Sequence, residues 1–112
     1  MKIDIDFVKG LVQSATGAGF AIDSKVSVNA PGTLDATTFM TVPTGAVAAA
    51  GLVLPDSATA GAIKVIVADT DANVLVKDTN TTLAADETLT NKGDWILAVY
   101  DGSAWVCIRS KS

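Results

Sequence analysis

The sequence predicts an all-β fold, a compact antiparallel sandwich or barrel-like domain preceded by an N-terminal arm or short helix. Three observations carry that reading. Short apolar runs alternate with turn signals about every 8–12 residues, the spacing of sandwiches and barrels. Residues 83–108 hold both tryptophans, the one tyrosine and the one cysteine, and within them lies a clear hairpin. Hydrophobic residues make up 49% of the chain and charged residues 18%. So few charges on a small body leave apolar surface for a partner to cover.

At 112 residues the chain is read as one β domain, 17–112, behind the arm or helix, 1–16. In that first stretch Asp6 is placed to cap a short turn carrying Phe7, Val8, Leu11 and Val12 on one helical face. Gly10 weakens such a helix by up to about 1 kcal/mol. The segment is read either as an arm that docks on a neighbour or as a helix packed or frayed at the terminus. Ile3 and Ile5 add to its apolar content.

Gly17 and Gly19 make a turn, without the third glycine of a dinucleotide fingerprint. Phe20, Ile22, Val26 and Val28 then alternate with polar residues, the pattern of a half-buried strand bent near Ser24. Residues 37–42 (TTFMTV) read as a strand stopped by Pro43. The alanine-rich residues 46–50 are too few for a stable helix and read as a loop or extended lead into Leu52, Val53 and Leu54. Residues 56–62 (DSATAGA) are a loop of small residues. Residues 63–68 (IKVIVA) and 74–77 (VLVK) are strands joined by 69–73 (DTDAN), read as a hairpin loop. Residues 86–89 add a short edge strand.

The terminal hairpin pairs residues 94–100 (DWILAVY) with 104–109 (AWVCIR) across Asp101, Gly102 and Ser103. Gly102 supplies the positive φ that such a turn demands. Trp95, Leu97 and Val99 point one way from the first strand, and Ile96, Ala98 and Tyr100 the other. Both faces are apolar, so both need cover, from a second sheet or from another chain.

Composition excludes several functions. The net charge is −4 and the pI about 4.4, against the basic patch of a nucleic-acid binder. The start, MKIDIDFVKG, lacks the features of a signal peptide. The longest weakly polar run, 46–55, is too short to cross a bilayer. There is no histidine, hence no His-based triad or imidazole ligand, and one cysteine makes neither a disulfide framework nor a zinc site. Cys107 reads as a small buried hydrophobe. Most carboxylates sit in turn sequences, where Asp bonds its own backbone. Asp69, Asp71 and Asn73 imitate the start of a calcium loop. Val74 then replaces the required glycine and Asn80 the required glutamate. Asn80, Thr81 and Thr82 form a glycosylation triplet of the kind that occurs by chance. Trp95, Tyr100 and Trp105 read as core rather than as a sugar platform. No enzyme activity and no cofactor are expected.

Two stretches, LVLPDSATAGAIKVIVADTDANVLVKD and TLAADETLTNKGDWILAVYDGSAWVCI, carry a resemblance. They resemble the lead-in and closing-hairpin pattern of virion structural proteins of tailed bacteriophages. The resemblance covers about half the chain, residues 52–108, and is shared by tail fibres, spikes, head fibres and capsid decoration proteins. It implies a β-rich homotrimer without enzymatic activity. A chain this short and without internal repeats looks most like a decoration (cement) protein. That protein would be made in the host bacterial cytoplasm and would sit on the outer capsid surface, bound to the major capsid protein, with no nucleic-acid or membrane partner. The alternative is a trimeric tail-fibre, spike or head-fibre module binding a host-surface carbohydrate. On the decoration reading, Trp95, Leu97, Val99, Tyr100, Gly102, Trp105, Val106 and Ile108 form the hairpin and pack the trimer. Ile3, Ile5, Phe7, Val8, Leu11 and Val12 attach it to the capsid.

Overall fold

The structure is a computed structural model that describes residues 3–6, 10–13 and 24–110. These form eleven β-strands and no helix. The all-β class is therefore as expected, while the N-terminal helix is corrected. Ile3–Asp6 (β1) and Gly10–Gln13 (β2) are antiparallel strands of a two-stranded ribbon, with Ile5 opposite Leu11 and Asp4 opposite Val12. Alternating Ile and Asp over residues 3–6 is a period of two, which suits a strand and not a helical face. Phe7 and Val8, and the expected strand positions Phe20 and Ile22, lie outside the described residues.

Nine further strands build two sheets. They are Lys25–Val28 (β3), Gly32–Thr33 (β4), Met40–Pro43 (β5), Val47–Val53 (β6), Ile63–Val67 (β7), Val74–Val76 (β8), Glu87–Leu89 (β9), Trp95–Tyr100 (β10) and Trp105–Arg109 (β11). The large sheet has the order β11-β10-β7-β5-β3 and the small one β4-β6-β8-β9. From β3 to β8 the chain alternates strictly between them. That winding makes β3, β5 and β7 parallel neighbours in one sheet, and β4, β6 and β8 parallel neighbours in the other. The expectation of an antiparallel sandwich is thus corrected to two mixed sheets. Parallel neighbours need a long crossover, and here each crossover is a strand of the opposite sheet. For the same reason residues 69–73 are not a hairpin loop. They carry the chain from β7 in the large sheet to β8 in the small one.

The direction reverses at β9, which pairs antiparallel with β8, and the chain ends in the antiparallel β10–β11 hairpin beside β7. The buried faces of the two sheets share one core. Val47, Leu52, Val74, Val76 and Leu89 come from the small sheet, and Ile66, Ile96, Ala98, Tyr100 and Trp105 from the large. Leu54 and Ala68, on the crossings, are also fully buried. Of the alanine-rich residues, 47–50 are extended within β6.

The second expected strand, residues 37–42, is observed at Met40–Pro43, with Pro43 inside it rather than stopping it, because residues 37–39 form a loop with other work. Asp35 accepts hydrogen bonds from the Thr37 amide and hydroxyl, both at 2.6 Å. These two bonds hold its carboxyl below the usual carboxylate range. The carbonyls of Asp35 and Thr38 accept from Lys64 Nζ. Lys64 is 1% exposed and lies on the core side of β7, paired with Ala98. Burial lowers its pKa, opposed by the nearby Asp35 charge. The lysine pins the 35–39 loop to the end of the large sheet.

One long side of the body is stitched shut. Thr81 forms a parallel bridge with Trp105. The Trp105 amide donates to Asn80 and its carbonyl accepts from Thr82, both at 2.9 Å. Arg109 reaches Glu87 at 2.6 Å, joining β11 to β9 across the two sheets. The outer edge of β11 is therefore covered over residues 105–107, which blunts it as a template for a further strand.

At the hairpin tip Asp101 Oδ1 accepts from the Ser103 and Ala104 amides, both at 2.8 Å. These bonds lower the Asp101 pKa, Ala104 contributing most. Gly102 takes φ +100°, as the turn requires. A Cβ there meets only Ala60 Cβ, at 3.7 Å, so the obstacle to substitution is backbone strain rather than a clash. Gly102→Val is expected to lower stability by about 1–3 kcal/mol, read as a lower denaturant midpoint at unchanged slope.

Candidate functional site

The strand pairings place one apolar surface on the outside of the large sheet. Ile66, Ile96, Ala98, Tyr100 and Trp105 face the core, so their neighbours along each strand face outward. Across β7, β10 and β11 these neighbours fall into rows. Ile63, Val99 and Val106 make one row, and Val65, Leu97 and Ile108 the next. Val67 and Trp95 make a third, ended by Ser110, whose hydroxyl accepts from the Trp95 amide at 2.9 Å. Met40 extends the middle row onto β5. On β7, β10 and β11 the rows carry no charged side chain, and beyond Met40 the middle row ends at the exposed Lys25 of β3. Ile108 is 58% exposed, Ile63 45%, Val106 44% and Val99 37%. A sheet face that meets water normally alternates with polar residues, and this one does not.

The structure divides the eight predicted packing residues. Trp95, Leu97, Val99, Val106 and Ile108 share the outer face. Tyr100 and Trp105 belong to the core instead, their rings edge to face at 5.2 Å. Gly102 is the turn residue. Of the predicted attachment residues, Ile3, Ile5, Leu11 and Val12 lie in the β1–β2 ribbon. Sequence reasoning missed Ile63, Val65, Val67 and Met40. The signal was present in IKVIVA, where Ile63, Val65 and Val67 recur with period two.

The groups that imitated chemistry are occupied structurally. Asp69 pairs with Lys92 at 2.9 Å, and Asp71 Oδ1 accepts from the Lys92 amide at 2.9 Å. Both thus brace the turn before β10. Asn80 Nδ2 donates to the Leu54 carbonyl at 2.9 Å, so the glycosylation-like amide is engaged. Trp105 is fully buried and Trp95 lies on the opposite face of the sheet, so the aromatics form no common platform. Cys107 is half-buried, and burial pushes its thiol up to about 11, away from nucleophilic use. Among the described residues no group of three or more Cys, Asp or Glu side chains is arranged to hold a metal. Among them, too, no helix is long and apolar enough to cross a membrane.

No protein-family model matches the chain, and no curated protein or solved structure matches it either. The outer face is therefore interpreted on its own chemistry.

Proposed function

We propose that this chain is a non-enzymatic structural subunit that assembles as a homotrimer, and that it serves as a capsid decoration protein of a tailed-phage virion. The observation that supports self-assembly is the uncharged outer face of β7, β10 and β11. An obligate interface resembles a core cut in half, and this face has that composition. The covered β11 edge favours association through the face over strand addition. The virion assignment rests on the resemblance of residues 52–108 to phage structural proteins. The fibre or spike alternative is weakened, because burial of Trp105 removes one of the aromatics a carbohydrate site needs.

On this reading the β1–β2 ribbon contacts the major capsid protein. Among the described residues it pairs with neither the large nor the small sheet. A lone two-stranded ribbon is marginal in water and gains stability from docking on another body. Purified protein at micromolar concentration should scatter light with about three times the 11.4 kDa chain mass. It should also cosediment with assembled shells that lack it, and deletion of residues 1–14 should abolish cosedimentation while leaving the trimer. A stable monomer would refute the assembly, and unchanged shell binding by the truncated trimer would refute the attachment.

A further inference from the structure

We propose that β11 is a latent self-pairing edge, and that residues 78–86 are a removable strap that keeps it from pairing with β11 of a second copy. This contact is separate from the outer face and does not depend on the oligomeric state proposed above. The strap is a closed loop. At its base Asp86 Oδ1 accepts from the Asp78 amide at 2.9 Å, and Asp86 Oδ2 accepts from Lys77 Nζ at 2.7 Å. Inside it Thr81 Oγ1 donates to the Asp78 carbonyl at 2.6 Å and accepts from the Leu83 amide at 3.1 Å. A surface loop whose ends are held together and whose own side chains brace it keeps its shape as a unit.

Its grip on β11 is short. The Asn80 carbonyl accepts from the Trp105 amide, and the Thr82 amide donates to the Trp105 carbonyl. Thr82 Oγ1 also accepts from the Cys107 amide at 3.2 Å. These bonds show which way the backbone groups of β11 point. Trp105 and Cys107 turn theirs away from β10, and by alternation Arg109 does the same. An edge strand is usually guarded by its own residues, through Pro, Lys or a bulge. The opposite edge of this sheet, β3, opens with the exposed Lys25. The β11 sequence, WVCIR, has neither Pro nor Lys, and its register with β10 runs without a bulge. Its one charge, Arg109, is drawn to Glu87. The guard of this edge is therefore the strap.

The occupant it excludes is another β11, because the edge is complementary to itself. An antiparallel pair centred on Cys107 sets Cys107 opposite Cys107, Trp105 opposite Arg109 and Val106 opposite Ile108. The three outward-turned residues then fall on the hydrogen-bonded positions, where each pair exchanges two bonds. No like charges face each other, since Arg109 meets a tryptophan position. Val106 and Ile108, 44% and 58% exposed, become cross-strand neighbours on one face. The apolar rows of the large sheet continue without a break into the second copy. The same surface on both partners makes the contact a closed twofold one.

The test opens the strap. Thr82→Pro removes both the amide that holds Trp105 and the hydroxyl that holds Cys107. The Cys107 thiol should then react faster with iodoacetamide. Under reducing conditions the particle mass from light scattering should rise to at least twice that of the parent protein, whether the parent is a monomer or a trimer. Adding Arg109→Pro takes an outward amide from the pairing, at a site where an edge strand tolerates proline, and should restore the parent mass. Faster labelling with an unchanged mass overturns the self-pairing. Unchanged labelling and mass overturn the strap as the cover of this edge. A larger mass that survives Arg109→Pro places the growth on another surface and overturns the assignment to β11. Should Thr82→Pro misfold, Asp86→Ala opens the base of the strap alone and is read in the same way. The mass of the parent protein, measured alongside, tests the trimer separately.

Discussion

Trp105→Ala is expected to unfold or nearly unfold the domain. The indole is fully buried between the sheets. Its Nε1 donates to the Pro55 carbonyl at 2.9 Å, and its ring meets Tyr100 edge to face. Truncating a buried Trp costs about 3–5 kcal/mol. The Pro55 carbonyl then loses a buried partner, which adds about 1–3 kcal/mol unless water enters. Domains of this kind are stable by only about 5–15 kcal/mol, so the variant should melt at least about 10 °C lower or not fold at all. Trp105→Phe keeps most of the packing and loses the hydrogen bond, and should cost less. Trp95→Ala removes a half-buried ring from the outer face, so its main effect should be on assembly. Equal losses of melting temperature for Trp105→Ala and Trp95→Ala would contradict the placement of the two rings on opposite faces.

That placement was half legible in the sequence. Alternation along residues 95–100 separates the two faces without saying which meets the second sheet. The partner strand decides, because Trp105, Cys107 and Arg109 share the side of Ile96, Ala98 and Tyr100. The hairpin itself was legible because Asp101 and Gly102 have a local stereochemical reason to turn. The sheet order was not. A strand that pairs parallel carries the same apolar run as one that pairs antiparallel, and residues 69–73 look alike whether they close a hairpin or cross between sheets. Lys64 was also hidden. A lysine in a strand reads as solvent-facing, and only the Asp35 and Thr38 carbonyls, 29 and 26 residues away, make its burial tolerable. The candidate face was partly read from β10 and β11, and β7 joined it only through its register with β10.

The second large effect is expected at Gly51. Glycine inside an apolar run signals a bulge or a close backbone approach, and here it is both. Gly51 lies within β6, takes φ +69° and is buried. The pairing with β8 shifts register around it, from Val47 opposite Val74 to Leu52 opposite Val76. A Cβ at this position would stand 3.1 Å from the Leu75 carbonyl oxygen and 3.1 Å from Lys77 Cγ and Cδ. The Leu75 oxygen belongs to a central strand and has little room to retreat. Lys77 is held on its other end by Asp86 at 2.7 Å, and its amide donates to Leu52 at 2.9 Å. Gly51→Val therefore combines positive-φ strain, about 1–3 kcal/mol, with overpacking of another 1–3 kcal/mol or so. The sum rivals the loss of Trp105, from a residue with no side chain at all. Gly51→Ala should cost less, because its single methyl meets the same atoms without the second branch. Denaturant unfolding of the three proteins should order their midpoints Gly above Ala above Val. A Gly51→Val midpoint equal to that of the parent would mean that β6 passes β8 without the bulge, and the register of the small sheet would have to be redrawn.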